Sequence, residues 1–140
     1  MNNAFEITIE ARLENLEAIG EFVTNCMQRV GADARSTFEV QLVVDEACTN
    51  IVQYAYGDEG GTIGIRCQRV GDDFIVSIRD RGKPFDPNSV APPDVDAALG
   101  ARRIGGLGIY FMHRMMDEVS YTFDPDKGNE LSMRKRLTQE

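Results

Sequence analysis

Residues 36–56 read STFEVQLVVDEACTNIVQYAY, and residues 62–79 read TIGIRCQRVGDDFIVSIR. The first stretch carries Val40, Val44, Ala47, Ile51 and Ala55 at three- and four-residue steps, the spacing of one helical face. Ser36, followed three residues later by Glu39, predicts a capping box at its start. The second stretch changes period. Thr62 to Val70 and Asp73 to Arg79 alternate in the manner of strands, and Gly71-Asp72 between them predicts a hairpin turn. A buried helix face followed by a hairpin is the core of the fold.

Outward from this centre the other elements fall into place. Phe5 to Glu10 alternates as a half-buried strand. Leu13 to Val30 carries Leu16, Ile19, Phe22, Val23 and Met27 at helical spacing, with Gly31 as its stop. Gly57 to Gly61 reads as a turn. Asp80 to Gly106 loses all periodicity and holds Pro84, Pro87, Pro92 and Pro93. Gly106-Leu107-Gly108 then opens a helix with Ile109, Met112, Met115 and Met116. Val119 to Phe123 and Leu131 to Leu137 are two more strands, with a turn from Asp124 to Asn129. Helices and strands segregate. The expected architecture is therefore an α/β (α+β) two-layer sandwich, a mixed and largely antiparallel sheet covered on one face by helices. The 140 residues suit one domain, spanning 1–140, and no internal repeat or linker divides them.

Composition excludes several classes. Fifteen Lys and Arg against 23 Asp and Glu give a net charge of −8, with no basic run. Direct nucleic-acid binding and attachment to anionic membranes both need clustered cations, so neither is expected. No apolar run is long enough to span a bilayer, and the Glu-rich N-terminus is unlike a signal peptide. Cys26, Cys48 and Cys67 are widely spaced and form no zinc or disulfide pattern, which fits free buried thiols in a reducing compartment. His113 is the lone histidine, most simply a packed or surface helix residue, and the methionines near it read as packing.

Four short patterns remain that carry chemistry. Glu46 and Asn50 stand one turn apart on the long helix, off its apolar arc. Asp80-x-Gly82 ends a strand, where a short carboxylate can accept from a ligand and a glycine permits a close turn. Gly105-Gly106-Leu107-Gly108 opens a helix, placing backbone N–H groups where negative charge is favoured. It is no P-loop, since no Lys-Ser/Thr follows. Gly128-Asn129 leads into the final strand. Each pattern alone has a plain structural reading: a solvated helix face, a turn, a helix cap, a hairpin.

Taken in order, the set resembles the nucleotide-binding boxes of the GHKL ATPase superfamily. The stretch Val44 to Asn50, Phe85-Asp86, Gly105 to Tyr110 and Met116 to Val119 resemble the anti-sigma factor serine kinases of the RsbW/SpoIIAB type. That resemblance implies a Bergerat-type fold that holds ATP and Mg²⁺. It implies Asn50 as the Mg²⁺ ligand, Asp80 as the partner of the adenine amino group, Gly82 in the adenine-side turn, and Gly106 and Gly108 in the phosphate loop. It implies Glu46 as the general base toward a substrate serine. The acidic net charge is no obstacle to ATP, which would meet Mg²⁺, backbone amides and a local cation, Lys83, Arg102 or Arg103. It further implies a cytoplasmic bacterial protein-serine kinase. This kinase would phosphorylate an anti-anti-sigma factor of the STAS type and sequester a sigma factor; related proteins are commonly dimers, so a homodimer is one expectation. Many GHKL members have a second Gly soon after Asp-x-Gly. This chain has Lys83-Pro84-Phe85-Asp86 there, which favours the anti-sigma branch. Two other readings stay open: a kinase of this branch in a partner-switching circuit without a sigma factor, and a module that binds ATP without catalysis. A lid from about Pro87 to Ile104 is expected to order over the phosphates.

Overall fold

The structure, a computed structural model, describes residues 4–56, 59–84 and 107–137, with the backbone alone at 107–110. Strand β1 (Ala4–Glu10) leads through a 3₁₀ turn at Leu13–Asn15 into α1 (Leu16–Arg29) and α2 (Ala34–Asn50). A π-helical turn at Ile51–Ala55 extends α2. The hairpin of β2 (Thr62–Val70) and β3 (Asp73–Asp80) follows. Helix α3 (Leu107–Met115), β4 (Glu118–Asp124) and β5 (Gly128–Arg136) complete the described chain. The five strands form one sheet in the order β1-β2-β3-β5-β4. The expected two-layer α+β architecture holds, but the sheet is not mixed: among the described residues every pairing is antiparallel.

Alternation sets the two faces of the sheet. Ile63, Ile65, Phe74, Val76, Ile78 and Met133 are buried on one face, against Ile19 and Val23 of α1 and Val40, Val44 and Ala47 of α2. The apolar arc predicted for α2 is thus the arc that meets the sheet. The other face is polar and laced with ion pairs, Glu6–Arg66 at 3.5 Å and Arg79–Glu130 at 2.7 Å. Such exposed pairs contribute about 0–1 kcal/mol each, so the buried face rather than this one carries the stability.

Two boundaries differ from expectation. Helix α2 begins at Ala34, and its cap is Asp33, whose Oδ2 accepts from the Ser36 N–H at 3.0 Å. Ser36 is buried in the first turn instead of capping it. Glu39 does not fold back on the cap. It pairs with Lys135 at 3.1 Å, and Lys135 Nζ also donates to the Met115 carbonyl at 2.6 Å, tying the end of α3 to α2 and β5. The second difference is at β5, which starts at Gly128 and takes Gly128-Asn129 out of the turn.

The three cysteines are free and buried, as expected. Met112 and Met116 lie in the core and His113 is exposed on α3. No helix among the described residues is long and apolar enough to cross a membrane.

Candidate functional site

Asp80 ends β3 and is only 8% exposed. A buried carboxylate needs hydrogen-bond partners. Its Oδ1 accepts from the Gly82 N–H at 2.8 Å and from Asn129 Nδ2 at 2.9 Å. Asn129 lies directly opposite Asp80 in the β3–β5 register. Its Nδ2 also donates to the Gly82 carbonyl at 3.0 Å. Two acceptors therefore fix which end of the carboxamide is the nitrogen. Its Oδ1 points the other way, is buried, and has no donor among the described residues. The pair thus holds acceptor capacity that the surrounding protein leaves unfilled.

Two glycines make this close approach feasible. Gly128 has φ +92°, and a Cβ there would stand 2.6 Å from the Asp80 carbonyl oxygen. A Cβ on Gly82 would stand 2.6 Å from the backbone of Ala55, at the end of the π turn. The Lys83 N–H donates to the Ala55 carbonyl at 2.8 Å, so the chain after β3 is fastened to the end of α2. Tyr56 adds a second fastening: its hydroxyl accepts from the Arg81 N–H at 2.7 Å and donates to the Thr62 carbonyl at 2.6 Å. Gly82→Ala is expected to lower the melting temperature, since overpacking against backbone costs about 1–3 kcal/mol. Gly64→Ala, whose Cβ would sit 3.8 Å from its nearest neighbour, should leave it unchanged. Thermal unfolding followed by circular dichroism checks both; equal melting temperatures would remove the packing argument.

Helix α2 supplies the other flank. Glu46 and Asn50 are half-buried and one turn apart. Immediately after Asn50 the helix widens into the π turn, a feature frequent at functional sites. Between them Cys48 faces inward, and its thiol is pushed up, first by burial and then by the nearby charges of Asp45 and Asp80. Among the described residues no three His, Cys, Asp or Glu side chains could together hold a metal ion. A divalent ion held here through a single side chain would take its remaining ligands from phosphates and water.

The structure therefore brings Asp80, Gly82 and Asn129 into one hydrogen-bonded group, fastened at Ala55 to the turn that extends the helix carrying Glu46 and Asn50. Gly108 lies in the first turn of α3, which packs on α2. Gly106, Arg102, Arg103 and the expected lid lie outside the described residues. Lys83 is exposed. Sequence reasoning singled out Gly128-Asn129 as a pattern but gave Asn129 no role, and it passed over Tyr56. The signal for Asn129 was a polar residue at a strand start; its partner lies on another strand.

Residues 9–135 match the histidine kinase-like ATPase domain, and the chain belongs to that family. Within it, the chain is similar to serine-protein kinases named RsbW. The one from Halalkalibacterium halodurans is 31% identical over 139 residues, covering 96% of this chain and 84% of that protein. The one from Staphylococcus aureus is 30% identical over 141 residues, covering 96% and 87%. Two solved structures share the fold. The RsbU and RsbW domains of a Mycobacterium tuberculosis protein align with a TM-score of 0.68 at 16% identity, over 98% of this chain and 33% of that one. The SiaB–SiaC complex of Pseudomonas aeruginosa aligns with a TM-score of 0.63 at 20% identity, over 94% and 88%.

Proposed function

We propose that this chain is an ATP-dependent protein-serine kinase of the partner-switching kind, a single kinase domain working in the cytoplasm. The observation that carries the reading is the Asp80–Asn129 pair, with a buried carboxamide oxygen that lacks a donor. The adenine amino group brings two N–H donors, which suits a site of unfilled acceptors. Guanine would bring a carbonyl there and leave the acceptors unpaired.

Bound Mg²⁺·ATP supplies the phosphoryl group to be transferred. Asp80 and Asn129 orient the base, and Gly82 lets the chain close beside it. The Asn50 amide oxygen suits a hard cation that keeps most of its waters. Glu46 accepts the proton of the substrate serine hydroxyl as the serine oxygen bonds to phosphorus and the bond from phosphorus to the ADP oxygen breaks. Gly106 and Gly108 offer backbone N–H groups to the phosphates. The protein substrate is an anti-anti-sigma factor of the STAS type, and a sigma factor is the partner sequestered in the other state. Both assignments draw on the similarity to proteins named RsbW, as does a homodimeric form.

The decisive experiment incubates the protein with ATP, Mg²⁺ and purified STAS-type proteins, and reads phosphoserine by mass spectrometry. Phosphoserine that disappears with EDTA is the expected result. Nucleotide binding without phosphoserine on any such protein would make the chain a binding module instead.

A further inference from the structure

Helices α1 and α2 do not close against each other along their whole length. Between them runs an open groove of about 690 Å³. Its walls are residues at helical spacing, among them Leu16 and Phe38 with Gly20 and Gln41 between them, and the apolar surface includes Leu42. Phe38 is 63% exposed, an unusual setting for so large an apolar side chain.

Gly20 is what leaves the groove open. It sits inside α1, where glycine costs about 1 kcal/mol relative to alanine. Packing does not require it: a Cβ there would meet only the end of the Gln41 side chain, at 3.4 Å. The helix therefore carries a stability cost that its own packing does not explain, and a larger side chain at this position would fill the groove.

The groove also has a sign. Glu17, Glu21 and Asp45 line it, and among the described residues no Lys or Arg does. Partial burial, and secondarily the Glu46 carboxylate beside it, raise the Asp45 carboxyl above its ordinary value. A cation in the groove would relieve that cost. We propose that the α1–α2 groove docks an amphipathic helical segment of another protein, with its apolar face on Phe38, Leu16 and Leu42 and a Lys or Arg between the acidic walls. A helix laid in a groove is read through anchors at such spacing. A second copy of this chain fits less well, because a two-fold contact here would set acidic walls against acidic walls. The inference does not depend on the kinase reading, since docking is measurable without nucleotide.

The probe is a fluorescein-labelled 18-residue amphipathic peptide of Leu and Lys, compared with its Leu and Glu counterpart by fluorescence anisotropy. The Lys peptide should bind and the Glu peptide should not. Gly20→Leu should weaken Lys-peptide binding at least tenfold while the melting temperature stays or rises. Asp45→Asn should weaken binding severalfold and flatten its salt dependence. Glu118→Gln, on exposed β4, should change neither. Unchanged binding by Gly20→Leu, equal binding of the two peptides, or an equal loss in Glu118→Gln would overturn the proposal. Sedimentation provides the last arm: a wild-type dimer that Gly20→Leu converts to monomer would assign the groove to a second copy and overturn it as well.

Discussion

Glu46→Gln is expected to slow phosphorylation of the partner serine by about a hundred- to ten-thousand-fold while leaving ATP affinity nearly unchanged. Glutamine keeps the size of the side chain and its capacity to accept a hydrogen bond, but it cannot take up the serine proton at neutral pH. The residue stands half-buried on α2, one turn before Asn50, so the same helix presents a proton acceptor and a neutral amide oxygen side by side. Base recognition is assigned to Asp80 and Asn129 on the sheet, which explains why nucleotide affinity should survive. The proposed sequestration of a sigma factor should survive too, because it would use protein surface rather than proton transfer. A phosphotransfer time course, a nucleotide titration and a melting curve on the same variant make the test. A folded Glu46→Gln protein with near-original rates would remove Glu46 as the base and leave positioning and Mg²⁺ as the mechanism.

Substitutions at Asp80 should separate recognition from folding. Asp80→Asn retains an Oδ1 that can accept from Gly82 and from Asn129 Nδ2, so the local hydrogen bonds persist. It replaces the second oxygen with a donor, which opposes the adenine amino group. Hydrogen bonds to charged groups are worth about 1.5–3 kcal/mol, so ATP affinity should fall by roughly tenfold to a hundredfold and the preference over GTP should shrink. Asp80→Ala removes the acceptor from two donors, one of them on a side chain that is 2% exposed, and should destabilise the fold as well. Calorimetric titration with ATP and GTP, beside thermal melts, reads both effects. Equal ATP and GTP affinity in the unmodified protein would sink the assignment.

Much of this was legible from local pattern. The period of α2 announced its buried arc, and Gly71-Asp72 announced the β2–β3 hairpin, because both are set by residues near in sequence. The start of α2 was misread for an instructive reason. Ser36 and Glu39 have capping-box spacing, but Asp33 reaches the same Ser36 N–H first, and Glu39 finds its cation on β5. The π turn was illegible because an apolar period of 3.6 does not reveal one extra residue in a turn. Asp80 could be picked out as a strand-end carboxylate. Its dependence on Asn129 could not, since cross-strand register is settled by the assembled sheet.

The strand order has a consequence for how the chain assembles. Pairing of β1 with β2 encloses both long helices, and pairing of β3 with β5 encloses everything between Asp80 and Gly128. Sheet formation therefore needs two distant closures, the kind of topology that folds slowly for its size. The second closure terminates at Asp80 opposite Asn129, the pair assigned to the nucleotide. A nucleotide held there bridges the last rung of that closure, and at a hundred times its dissociation constant it would add about 2.7 kcal/mol to the folded state. The metabolite that the kinase consumes would thus also govern how much of the chain is folded and resistant to proteolysis, so falling ATP would reduce the protein's survival along with its catalysis.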